Sequence, residues 1–255
     1  HNSINLAKKA IRQESVKKEL ELASEMQNML LPTTLPKNNQ LDIAAFYKSH
    51  EQVGGDYYDV MWIDDNKLVF CIADVSGKGV SAAILMSNFQ ANLRAGVAHS
   101  VSLEALVNDL NQKVIDNAKG EKFITMFIGV YEKDCRELTY INCGHNPPFF
   151  YNNGKVEALK NGCPGLGMLD NLPIPNVGKV KVGQKSTLVC YTDGLVEIEN
   201  NSNLEYGTER IVNLLEKNSG NSMNFLNKSI ITDLEIFKED KPYIDDIAIL
   251  SCFFA

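Results

Sequence analysis

The stretch GGDYYDVMWIDDNKLVFCIADVSGKG, residues 54–79, reads as a hairpin that runs into a glycine-bounded turn. Residues 57–63 and 67–74 are rich in aromatic and aliphatic side chains, and Asp64-Asp65-Asn66 between them is a turn signal. The pattern changes at Ser76-Gly77-Lys78-Gly79, and a helix is predicted over 76–98. Asp56 stands just ahead of the first strand and Asp74 closes the second.

On either side of the hairpin, strands and helices come in runs. Residues 41–47 read as a strand before it. A helix is predicted over 102–118, with Ser102 as N-cap and Glu104 in the first turn. Strands follow at 123–131, 137–142, 148–151 and 187–192, helices at 208–217 and 222–237, and a last buried strand at 247–253. Runs of this kind, without strict β-α-β alternation, argue for layered sheets with helices outside. No internal repeat or low-complexity segment interrupts them, so residues 37–255 read as one domain.

Residues 1–36 read as a separate helical element. Residues 4–31 contain no Gly or Pro, and Pro32 and Pro36 end the helix. Ile4, Ala7, Ile11, Leu22, Met26 and Met29 form a stripe near helical spacing, interrupted by Ser15 and Lys18. Two readings stand side by side. The helix packs on its own domain, or it is a linker that pairs with a second copy in a homodimer and carries a signal. The chain opens on His1 rather than Met and is read as continuing upstream, where a sensor domain is expected.

Composition excludes several classes. The 255-residue chain is 44% hydrophobic and 22% charged, as a soluble globular protein is. No apolar run approaches the roughly 20 residues that span a bilayer, and the start lacks the apolar core of a signal peptide. A net charge of −7 without a basic cluster argues against nucleic acid as a partner. No two of the six cysteines have C-x-x-C spacing, which argues against a zinc site. Cys71, Cys190 and Cys252 lie in apolar runs and read as buried small hydrophobes of a cytoplasmic protein.

Four acidic segments carry the chemistry: Gly54-Gly55-Asp56-Tyr57-Tyr58-Asp59, Ala73-Asp74-Val75-Ser76-Gly77-Lys78-Gly79, Tyr191-Thr192-Asp193-Gly194 and Asp245-Asp246. Each alone reads more simply as a turn or a helix cap. Together they place rigid carboxylates at strand ends beside glycines that let a ligand come close. Converging carboxylates repel one another unless cations neutralise them, and an all-oxygen site suits Mg²⁺ or Mn²⁺. Two such metals about 4 Å apart share and activate a bridging water for in-line attack on phosphorus, so no Ser, Cys or His nucleophile is needed. Val75-Ser76-Gly77-Lys78-Gly79 has only part of a phosphate-loop pattern.

These segments, in this order, resemble the PPM family of metal-dependent serine/threonine phosphatases, in its bacterial RsbU/SpoIIE-like branch. The resemblance runs from about Leu22 to the C-terminus. It is also carried by Gln27-Asn28-Met29-Leu30-Leu31-Pro32, Phe123-Ile124-Thr125-Met126-Phe127 and Gly144-His145-Asn146-Pro147-Pro148. It implies an α+β fold, a four-layer α-β-β-α sandwich of two antiparallel sheets flanked by helices, here with an N-terminal helical extension. It implies two divalent cations, Mn or Mg, held by Asp56 (bridging both), Asp74, the backbone carbonyl of Val75, Asp193, and one of Asp245 and Asp246, with Asp245 favoured. Gly55, Ser76, Gly77 and Gly194 would line the site.

His145 reads as a general acid or, preferably, as a structural residue of its loop. Asp59 reads as a residue behind the ligands or at a weak third metal, with a structural role slightly ahead. Lys78 reads as a point of attraction for a phosphoprotein or, more simply, as a solvated lysine at a helix start. The arginine that holds phosphate in eukaryotic relatives has no obvious counterpart, and residues 162–170 read as a mobile loop near the site. The activity implied is hydrolysis of phosphoserine or phosphothreonine on a partner protein, such as an anti-sigma-factor antagonist or a similar switch protein. A catalytically silent phosphatase-like interaction module is the alternative.

Overall fold

The computed structural model describes the backbone from Asn2 and the side chains from Lys9 to the C-terminus. In chain order the elements are α1 (Asn2–Asn28), β1 (Leu41–Lys48), β2 (Tyr57–Trp62), β3 (Lys67–Val75), α2 (Gly79–His99), α3 (Leu103–Ala118), β4 (Ile124–Glu132) and β5 (Glu137–Cys143). They continue as β6 (Phe149–Asn152), β7 (Lys155–Ala158), β8 (Gly162–Cys163), β9 (Gly178–Lys181), β10 (Ser186–Tyr191), α4 (Asp193–Val196), α5 (Thr208–Lys217), α6 (Met223–Lys238) and β11 (Ile247–Phe254).

Two sheets form. The first has the order β1-β11-β10-β6-β7, every pair antiparallel. The second runs β2-β3-β4-β5-β8, with β9 also paired to β5. The expectation of two purely antiparallel sheets is corrected at one place, because β8 joins β5 in parallel. That short edge pair forms where the chain returns in the direction of β5 after the β6-β7 hairpin.

The apolar pattern of β11 shows why the sheets stack. Ala248, Leu250, Cys252 and Phe254 enter the core between the sheets, while Ile247 and Ile249 enter a second core beneath α5 and α6. Side chains alternate faces along a strand, so a strand apolar at every position is covered on both sides. The other sheet is covered by α2 and α3, whose Phe89, Leu93, Leu106 and Leu110 belong to the first core. The result is the expected helix-sheet-sheet-helix sandwich. Ser102 caps α3 by accepting from the Ala105 amide at 3.2 Å.

α1 stands apart. Ile11, Leu22, Met26 and Met29 are 61–76% exposed, so its stripe does not pack on the chain's own domain. The side chains of Ile4 and Ala7, the first two positions of that stripe, lie outside the described residues. The element is fastened near its C-terminal end instead. Gln27 is buried, its amide donates to the Gly54 carbonyl at 2.7 Å, and its oxygen accepts from the Gly54 amide at 3.0 Å.

Candidate functional site

β2 and β3 are neighbours in one sheet, and β10 and β11 are neighbours in the other. Their site ends meet at one edge of the sandwich. Asp56 precedes β2, Asp74 and Val75 close β3, Asp193 follows β10, and Asp245-Asp246 precedes β11. A cavity of ≈ 330 Å³ opens there, lined by Asp74, Val75, Ser76, Gly77, Thr125, His145, Asp193 and Asp245 among others. A larger cavity of ≈ 460 Å³ lies by the α2–α3 turn, where the acids Glu104 and Glu132 are accompanied by Lys67 and Lys179 among mostly apolar residues.

Charge repulsion dominates the smaller cavity. Burial, then the neighbouring Asp74 carboxylate, pushes Asp56 well above the ordinary carboxylate range. Burial, then Asp193 and Asp245, pushes Asp74 up to about 7. Burial, then Asp245, raises Asp193. Side chains held this way favour protons or cations over their bare charged forms.

Each neighbour of the acids has a visible task. Thr192 donates its hydroxyl to Asp56 Oδ2 at 2.7 Å and accepts from the Ala248 amide at 2.9 Å, which fixes Asp56 to β11. A methyl on Gly55 would stand 2.9 Å from the Val75 carbonyl oxygen, so glycine is what lets that oxygen lie beside the Asp56 segment. Gly194 packs on the Asp246 carbonyl with no room for a side chain. Ser76 exchanges two 2.9 Å bonds with the Phe123 backbone, and Gly77 turns the chain at φ +86° before α2. This turn delays the helix to Gly79, three residues later than the sequence pattern suggests.

Adjacent acids divide their work. Asp246 accepts from the amides of His50 at 2.7 Å and Gly55 at 2.6 Å, so its carboxylate clamps the Gly-Gly-Asp segment. Asp245 lines the cavity and receives the Lys78 ammonium at 2.7 Å. Lys78 itself is exposed, with 44% of its side chain open, so this ion pair sits at the solvent-facing rim of the cavity. Among the described residues, no group of three or more acidic, His or Cys side chains is arranged to hold a metal ion.

His145 is buried, with Nδ1 2.9 Å from the Thr125 hydroxyl and its backbone amide donating to Asn142 Oδ1 at 2.7 Å. Burial pushes its imidazole down to about 4, so it is neutral at pH 7 and suited to holding the loop. Asp59 is not beside the acids. It shares a face of β2 with Tyr57 and points at α2, where Arg94 grips it through Nε at 2.7 Å and Nη2 at 3.0 Å while the Tyr57 hydroxyl also donates. Two residues separate side chains on one strand face, which turns Asp59 away from the cavity. Residues 162–170 do reach the site region, since Leu166 exchanges 2.8–2.9 Å backbone bonds with Ile124.

The family model for stage II sporulation protein E (SpoIIE) matches residues 64–254. The chain belongs to the SpoIIE family. Asp74, Asp193 and the Asp245-Asp246 pair fall inside the matched stretch, and Asp56 lies just ahead of it. The phosphoserine phosphatase RsbU of Bacillus subtilis is 35% identical over 140 residues, 55% of this chain and 42% of that protein. The SiaA-PP2C domain of Pseudomonas aeruginosa superposes with a TM-score of 0.85 at 20% identity, over 96% of this chain and all of that one. RsbX, solved in complex with magnesium, superposes at 0.65 and 18% identity, over 87% of this chain and 99% of that one. The fold of this SpoIIE-family chain is thus that of the PP2C phosphatase domains. The chain spans 37–57% of the length of the curated relatives it matches.

Proposed function

We propose that residues 37–255 are a metal-dependent protein phosphatase domain that hydrolyses phosphoserine or phosphothreonine on a partner protein. The observation that carries this reading is the meeting of Asp56, Asp74, Asp193 and Asp245 from four distant segments at one edge of the sandwich. The donor set fits hard divalent cations, because it is all oxygen and its carboxylates raise one another's proton affinity.

Asp56, Asp74, Asp193, Asp245 and the Val75 carbonyl are the groups we assign to two such ions, Mn²⁺ or Mg²⁺. When bound, the ions supply an activated water and neutralise charge on the phosphoryl oxygens. The chain's own residues do the positioning. Thr192 orients Asp56, Asp246 holds the Gly54-Gly55 backbone, and Thr125 with His145 shapes the opposite wall. Lys78 neutralises Asp245 and gives up that contact when Asp245 turns to a cation.

The partner class we favour is a small anti-sigma-factor antagonist or a similar switch protein, on the likeness to RsbU, named a phosphoserine phosphatase. We assign residues 1–36 to regulation. The exposed α1 stripe supports pairing with a second copy, and Gln27 ties the helix to Gly54, two residues from Asp56. A catalytically silent module is the second reading, favoured by the lack of an arranged ligand group among the described residues and by the Lys78 contact.

Manganese-dependent hydrolysis of an aryl phosphate separates the two readings. The proposal expects a rate that Asp56→Asn and Asp193→Asn each lower by at least about a hundredfold, more than residues behind a metal site typically cost. No metal-dependent rate in the unaltered chain, or an unchanged rate in both variants, favours the silent module.

A further inference from the structure

Cys143 ends β5 and Cys163 ends β8, and the two are register partners across the parallel pair. Partner residues of adjacent strands lie about 4.8 Å apart and share a face. Their sulfurs stand 3.7 Å apart. Cys143 is fully buried and Cys163 is half-buried, so Cys163 is the more accessible of the two to a small oxidant. The backbones are closely set here, since a methyl on Gly162 would overlap the Asn142 carbonyl. Neighbouring backbones at this spacing fall within the range that a disulfide bridges.

Cys143 leads directly into the wall of the acidic cavity, and Cys163 leads into the segment paired behind that wall. Gly144 and His145 follow Cys143 and line it. Pro164, Gly165 and Leu166 follow Cys163, and Leu166 is bonded to Ile124 at the edge of the same cavity. The two loops touch, because a methyl on Gly144 would lie 2.8 Å from the Gly165 amide nitrogen. Asn142, the residue before Cys143, holds the His145 backbone from both sides at 2.7 and 3.0 Å.

We propose that Cys143 and Cys163 are a redox pair that closes into a disulfide and displaces the two loops at the wall of the acidic cavity. With a peroxide as oxidant, the Cys163 thiolate attacks one oxygen, the O–O bond breaks, and sulfenic acid and hydroxide form. Cys143 then loses its proton and attacks that sulfur. The S–S bond forms, the S–O bond breaks and water leaves, so two thiols are oxidised and one peroxide becomes two waters. A dithiol reductant reverses the step by exchange. The mutual contact lowers the Cys163 thiol and raises that of Cys143, in keeping with attacking and resolving roles. Closure shortens the sulfur gap from 3.7 Å to about 2.05 Å.

The effect on rate rests on the phosphatase reading; the bond and the loop movement do not. The full chain is treated with hydrogen peroxide, its remaining thiols are alkylated, and its peptides are mapped. Amide exchange is followed over residues 144–147 and 164–167. The proposal expects a Cys143–Cys163 cross-link and altered exchange in both loops. Dithiothreitol reverses both changes, and neither occurs in Cys163→Ser. Oxidation confined to exposed Cys135, or a cross-link that leaves both loops unchanged, overturns it. The aryl-phosphate rate of the oxidised chain falls at least about tenfold, since displacements near 1 Å at a reacting centre cost up to about a hundredfold; an unchanged rate overturns the regulatory role. A reduced chain with no rate breaks the phosphatase reading instead, while the mapped bond and loop exchange still decide the redox pair.

Discussion

Asp56 and Asp59 are three residues apart and both buried, yet they meet opposite surroundings. Asp59 faces α2 and is met by a two-point arginine contact and a tyrosine hydroxyl. Asp56 faces three further acids, with a single threonine hydroxyl on its carboxylate. A buried charge persists only with a partner. Where the chain supplies the partner, the aspartate is structural. Where the chain supplies more negative charge instead, the proposed function brings the partner from outside. The contrast distinguishes a packing residue from a functional one more sharply than either motif does.

Breaking the Asp59 side gives the largest effect on stability. Arg94→Met leaves a buried carboxylate without its cation and lowers the unfolding free energy by about 3–5 kcal/mol. Asp59→Asn costs less, because the Arg94 guanidinium it releases is 45% exposed and turns to water. Denaturant unfolding of the two variants measures the difference, and manganese affinity of the folded protein is unchanged in both.

On the Asp56 side, Thr192→Val removes the hydroxyl that orients the carboxylate. Titration calorimetry should show manganese binding weakened by about 10–100-fold, with a smaller change in stability. Retained affinity would mean that Asp56 is oriented by something other than β10.

The last effect is spread over a slope with pH rather than read at one condition. Asp74 is pushed up to about 7 in the folded chain, well above its ordinary value. The native state therefore holds a proton that the unfolded chain releases. That contribution to stability is fully present below the ordinary carboxylate value and is lost as pH rises through about 7. In a chelator, the melting temperature attributable to Asp74 falls between pH 4 and 8, by at most roughly 10 °C. Each 1 kcal/mol corresponds to about 2–4 °C at this chain length. Manganese reverses the fall, and Asp74→Asn removes it.

Much of this was legible in the residues. Asp56, Asp74 and Asp193 were visible because each sits at one end of an apolar run or beside glycine. The layered sheets were visible because strands and helices come in runs rather than in strict β-α-β alternation. Other features depend on tertiary placement. Asp245 and Asp246 are adjacent and chemically identical, and only the amides of His50 and Gly55 distinguish them. Asp59 carries the same motif signal as Asp56, and only strand alternation turns it to Arg94. β7, β8 and β9 have two to four residues each, too few for a period to register. Lys78 sits in a quoted motif, but its reach to Asp245 crosses more than 160 residues of chain.

The central claim is that the acids of the cavity, unlike Asp59, are completed by cations. Anomalous diffraction at the manganese edge, from crystals grown with Mn²⁺, tests it most directly. The account expects two peaks about 4 Å apart, between Asp56, Asp74, Asp193 and Asp245, with Asp246 still on the amides of His50 and Gly55 and Lys78 withdrawn from Asp245. Absence of any peak in the cavity at saturating manganese, or peaks only at acids elsewhere on the surface, would contradict it.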